Sequence, residues 1–134
     1  MSVDPVFSST PNPHRERLLD LRHRLAALHK TLIESERETY EQTFGRLQSA
    51  NQFLQLLIRD PWFAWLHPLS ELVVFLDEVL EEEEPPTAER VTGLVNRTRA
   101  LLTASEKGDG FPRSYFEALQ REPNHTLLRD RLYR

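Results

Sequence analysis

Leu18, Leu21, Leu25, Leu28 and Leu32 follow one another at alternating steps of three and four. An α-helix, with 3.6 residues per turn, brings such positions onto one side, whereas a strand would throw them to both. Leu19, Ala26, Ile33 and Tyr40 repeat every seven residues beside them and widen the stripe. Arg15, Glu16, Arg22, Lys30, Glu34, Arg37 and Glu41 occupy the other side. Arg37 and Glu41, one turn apart, attract; Glu34 and Glu38 repel, each by a few tenths of a kcal/mol. Asn12 before Pro13 is a start signal, since Asn caps free N–H groups and Pro is favoured at the first helical position. Gly45 is the natural stop.

The same period continues downstream. Ser49, three residues before Gln52, matches a capping box, and Phe53, Leu54, Leu57 and Ile58 give the helix it opens an apolar face. Asp60-Pro61 breaks the chain and restarts it. Residues 62–66, Trp-Phe-Ala-Trp-Leu, are apolar in every direction. Pro68 would clash with the carbonyl of Ala64 in a straight helix, so a kink or a fresh start is expected there. Leu69, Leu72, Val73, Leu76 and Leu80 then form a stripe, with Phe75 and Val79 at its edge, until Pro85-Pro86. Thr87 caps the next helix, whose inner face is Val91, Leu94, Val95, Thr98, Leu101 and Leu102. Gly93 weakens that helix and suggests the close approach of a neighbouring helix or ring. After a loop at residues 107–110, Phe111-Pro112 opens a short helix with Tyr115, Phe116 and Leu119 inside; Pro123 stops it. Leu127, Leu128 and Leu132 could add a last helical turn or two.

No alternating β-branched run of useful length and no internal repeat occurs. The expected fold is all-α: a single-domain antiparallel helix bundle with four main helices, a broken middle section around Pro61 and Pro68, and a short C-terminal helix. Residues 1–12 read as a flexible tail, 13–123 as the bundle, and 124–134 as a basic tail or short helix.

A chain of 134 residues can bury a core without metal or disulfide help. It has no cysteine, which excludes thiol chemistry, a disulfide framework and a zinc ribbon. A net charge of −4 argues against nucleic acid as a partner, because duplex binding needs a basic face to displace counterions. Arg121, Arg129, Arg131 and Arg134 do crowd one end, and residues 81–84, all glutamate, read as a solvated helix end. The start of the chain lacks the basic and apolar regions of a signal peptide, and the expected location is the cytoplasm. Residues 61–80 are the most apolar stretch, but His67, Pro68, Ser70, Glu71, Asp77 and Glu78 interrupt it, so no membrane span is expected.

Candidate chemistry is thin. Di-iron carboxylate bundles need inward Glu-x-x-His motifs on two helices. Glu122 and His125 have that spacing, but Pro123 lies between them. His67 and Glu71 share a face, yet the remaining histidines (His14, His23, His29 and His125) cannot complete a hemerythrin-like set. His29-Lys30 lacks the pattern of a phosphotransfer histidine. There is no Gly-x-Ser-x-Gly elbow and no phosphate-cradling glycine loop, and acid pairs such as Glu34 and Glu38 or Asp77 and Glu81 read as solvated helix faces. No catalytic residue, metal or cofactor is expected.

One segment is distinctive. The Asp60-Pro61-Trp62-Phe63-Ala64-Trp65-Leu66 motif, with Leu28-His29-Lys30, Tyr40-Glu41, residues 54–57, Phe111, Tyr115-Phe116 and Leu119-Gln120, resembles a family of small uncharacterised bacterial helical proteins. The resemblance covers roughly residues 18–123 and implies a bacterial source and a helical fold, with no activity, cofactor or catalytic residue. The residues then point to a non-enzymatic protein that binds another protein or itself as a homodimer. In that reading the indoles are mainly buried and Phe63 stands at the rim of the contact. The alternative is a small-ligand- or metal-binding bundle, hemerythrin-like or ferritin-like in architecture, with a pocket near His29, Tyr40, Trp62 and Trp65.

Overall fold

The computed structural model describes residues 12–103 and 108–121, of which 84% are helical and none forms a strand. In chain order the described elements are α1 (Pro13–Phe44), α2 (Ala50–Arg59), a 3-10 helix (Pro61–Leu66), α3 (His67–Glu81), α4 (Ala88–Leu101) and α5 (Gly110–Arg121). The all-helical expectation holds. The expected N-terminal tail and the segment 124–134 fall outside the described residues, Asn12 excepted.

The caps sit where the sequence places them. Asn12 Oδ1 accepts from the N–H groups of His14 and Arg15 at 3.0 and 2.9 Å, and Pro13 occupies the position that needs no donor. At the other end of α1, Gly45 adopts φ 98°, a left-handed conformation that a Cβ would strain, and its N–H closes on the Glu41 carbonyl at 2.8 Å. Ser49 Oγ accepts from Gln52 N–H at 3.1 Å, while Gln52 Oε1 reaches back to Gln48 N–H at 2.8 Å. This is a capping box closed one residue earlier than the usual form. Asp60 caps the 3-10 helix through Trp62 N–H (2.8 Å), and Thr87 caps α4 through Arg90 N–H (3.1 Å).

The core follows the leucine stripe. Leu18, Leu21, Leu25, Leu28 and Leu32 are all buried, and α1 packs most extensively on α3, which contributes Leu69, Leu72, Leu76 and Val79. Val91 and Leu94 of α4 and Tyr115, Ala118 and Leu119 of α5 complete the cluster. Each large side chain removed from water stabilises the fold by about 1.5–3 kcal/mol. Two long-range ion pairs brace the edges of α1. Arg22 grips Asp77 of α3 at 2.6 and 3.2 Å, and this hydrogen-bonded carboxylate pushes the Arg22 pKa up. Arg121 of α5 reaches Glu36 at 2.6 Å. Among the described residues no helix is long and apolar enough to cross a membrane.

One local expectation is corrected. Nothing lies within 4 Å of where a Cβ on Gly93 would stand, so this glycine faces open space and admits no close neighbour.

Candidate functional site

The segment from Pro61 to Leu66 decides what each candidate residue can do. A 3-10 helix has three residues per turn, so side chains three apart eclipse. Phe63 and Leu66 therefore share one side and are buried, at 0% and 2% exposure. Trp62 and Trp65 share a second and are half-buried; Pro61 and Ala64 share the third and are exposed. The expectation that Phe63 stands at a surface rim is thus overturned, while the indoles, expected to be mainly buried, are partly buried against the core. It assumed the 100° step of an α-helix, which scatters these side chains all round; the tighter winding sorts them into three columns. Pro68 does mark the fresh start, since α3 begins at His67.

Aromatic contacts lock the segment to its neighbours. Tyr40 of α1 lies 5.4 Å from Phe63 and 5.6 Å, edge to face, from Trp62. Phe44 packs on both Tyr40 and Trp62, and Phe53 of α2 meets Phe63 edge-on at 5.8 Å. Trp65 turns the other way, onto Phe111, which in turn meets Tyr115. Such pairs contribute about 0.5–1.5 kcal/mol each beyond simple burial. Tyr40 is thereby a packing element between aromatic neighbours.

The anticipated single pocket near His29, Tyr40, Trp62 and Trp65 divides into two separate concavities. The first, about 560 Å³, lies where α1, the 3-10 helix and α5 meet, and is lined by Glu36, Thr39, Trp62, Trp65, Ser114, Phe116, Glu117, Gln120 and Arg121. Its polar centre is the Glu36–Arg121 pair. Trp62 Nε1 is buried and has no hydrogen-bond acceptor among the described residues.

The second concavity is an apolar groove of about 400 Å³ between α1, α2 and the start of α3. Its lining is His29, Ile33, Leu54, Leu57, Ile58, Phe63, Leu66, His67 and Ser70. Phe63 and Leu66 form its buried floor. Leu54 and Ile58, one turn apart on α2, are 51% and 56% exposed. His29 is half-buried at the groove, and burial pushes its imidazole pKa down. His67 Nε2 lies 2.9 Å from the Leu57 carbonyl, a contact that ties α3 to α2. Among the described residues no group of three or more His, Cys, Asp or Glu side chains could hold a metal ion.

Sequence reasoning passed over Glu36 and Arg121 as site residues. Extending the α1 stripe from Leu32 by three and four lands on Ser35 and Glu36, and both are buried. A carboxylate on an apolar stripe was the available signal, since such a group needs a partner. Its partner, 85 residues away, carried no local signal. No protein-family model, curated protein or solved structure matches this chain.

Proposed function

We propose that this chain is a non-enzymatic helical interaction protein, of bacterial and cytoplasmic origin, that docks a protein partner or a second copy of itself along the groove between α1 and α2. In this reading α1, α3, α4 and α5 act as the antiparallel bundle that holds α2 in place. The observation that carries the proposal is the exposure of Leu54 and Ile58 beside a preformed apolar groove. None of the ten residues of α2 is buried, although Phe53, Leu54, Leu56, Leu57 and Ile58 are apolar. A water-facing apolar row at one-turn spacing is the arrangement by which helices dock into grooves, and exposed apolar patches mark contact sites. The catalytic alternative has less support: the groove brings together two imidazoles and a hydroxyl, with no carboxylate in its lining to orient them.

The test separates folding from contact. A photo-crosslinking residue at Leu54, with a control at exposed Glu89 on α4, is introduced in the cell that produces the protein. Protein adducts at 54 and not at 89 are expected, and their mass distinguishes a second copy from an unlike chain. Leu54→Ser with Ile58→Ser should remove the adducts formed from a crosslinker at Leu57 while leaving the helical spectrum intact. Equal labelling at 54 and 89, or adducts that survive the double change, would overturn the proposal.

A further inference from the structure

The cleft on the α5 side has a chemistry of its own, independent of the apolar groove. Three aromatic side chains, Trp62, Trp65 and Phe116, line it together with two carboxylates, Glu36 and Glu117, and one guanidinium, Arg121. The Glu36 side chain is 10% exposed. Its Oε2 is taken by Arg121 at 2.6 Å, while Oε1 has no hydrogen bond among the described residues. Glu117 is paired only loosely, at 3.4 Å, with Arg113, and its side chain is 52% exposed.

We propose that this cleft binds an alkylated ammonium group. The rings present electron-rich faces that attract a cation, with indole the strongest of the three aromatic types. Each carboxylate has an arginine partner, but the Glu117–Arg113 pair is long at 3.4 Å and half in water, so Glu117 is the carboxylate that an incoming cation can engage. An anion would have to draw Arg121 away from a nearly buried carboxylate, leaving that carboxylate unpaired. A small hydrated metal ion needs several oxygen ligands to replace its water, and among the described residues no three acidic or imidazole side chains gather closely enough to hold one. An alkylated ammonium has an apolar skin and a weakly hydrated charge, which matches a lining of three rings and two carboxylates. The cleft volume of about 560 Å³ lies within the range of small-ligand sites. The group could be carried by a free small molecule or by a trimethylated lysine side chain, and the same contacts serve both.

The chain has two tryptophans, and both line this cleft, so intrinsic fluorescence reports the site directly. The full chain is titrated with choline, with N-acetyl-trimethyllysine amide, and with 3,3-dimethylbutan-1-ol, the uncharged counterpart of choline in shape. Saturable fluorescence change with choline or trimethyllysine, at least about tenfold tighter than with the alcohol, is expected. The tighter of the two cations identifies the source. Glu117→Gln, at an exposed position, should keep the helical spectrum and melting temperature and weaken cation binding several-fold. Glu36→Gln should weaken it further; if that variant fails to fold, Glu117→Gln still decides. Equal binding of cation and alcohol, no saturation by either cation up to about 50 mM, or unchanged affinity in Glu117→Gln would overturn the proposal.

Discussion

His29 stands half-buried beside the groove, and burial lowers its imidazole pKa from the ordinary 6.5 because the charged form loses hydration. The unfolded chain therefore binds the proton more readily than the folded one. His29 adds no pH penalty above about pH 6.5, and stability falls as pH drops through that value towards the lower folded pKa. Denaturant midpoints should decline between pH 7 and 5.5, and His29→Gln should flatten that decline; an unchanged slope would show that another group carries it. Gly93 offers a second single-residue test. It sits in α4, is exposed, and faces open space. Gly93→Ala should stabilise the protein by about 0.5–1 kcal/mol through lower backbone entropy in the unfolded chain. A loss of stability would mean that a neighbour occupies that space. Phe63→Ala, at a site fully shielded from water, should cost about 3–5 kcal/mol; a cost below 1 kcal/mol would restore the surface role first expected of this ring.

At the scale of elements, α2 differs from the rest. It packs chiefly on the short 3-10 helix, with no buried residue of its own, and is held by its Ser49 cap, the Phe53–Phe63 contact and the Arg37 guanidinium 4.7 Å over the Phe53 ring. Local stability follows buried apolar contact, so α2 amides should exchange with solvent well before those in the middle of α1 and α3. Equal protection in α1 and α2 would contradict this. The period of the segment after α2 was the hardest feature to read. Trp-Phe-Ala-Trp-Leu is compatible with either winding by composition, and a 3-10 helix of six residues is longer than most. Asp60 and Pro61 locate its start, and the tighter turn puts Phe63 and Leu66 in the core, ahead of buried Leu69 of α3.

Across the whole molecule, Leu25 and Leu76 lie at the centre of the α1–α3 contact, both with 0% exposure. Leu25→Ala and Leu76→Ala should each cost about 2–5 kcal/mol in urea melts; losses below 1 kcal/mol at both would place the core elsewhere. Helix positions, caps and the inner faces of α1 and α4 were legible in the residues, because 3.6-residue periodicity and capping chemistry are local properties of the chain; on α3, Val79, expected at the edge, is buried, while Val73 and Leu80 of the expected stripe are half-buried. The partition of the candidate site was not legible. Whether Tyr40, His29, Trp62 and Trp65 share one cavity depends on where α5 and α2 come to rest against α1. α5 brings Phe116, Glu117 and Arg121 to the two indoles, and α2 brings Leu54 and Ile58 to His29. Those approaches are set by packing between residues distant in sequence, such as Arg121 on Glu36 and Arg37 over Phe53. Local pattern establishes which face of each helix is apolar; the closing of one helix on another decides which of those faces stays in water.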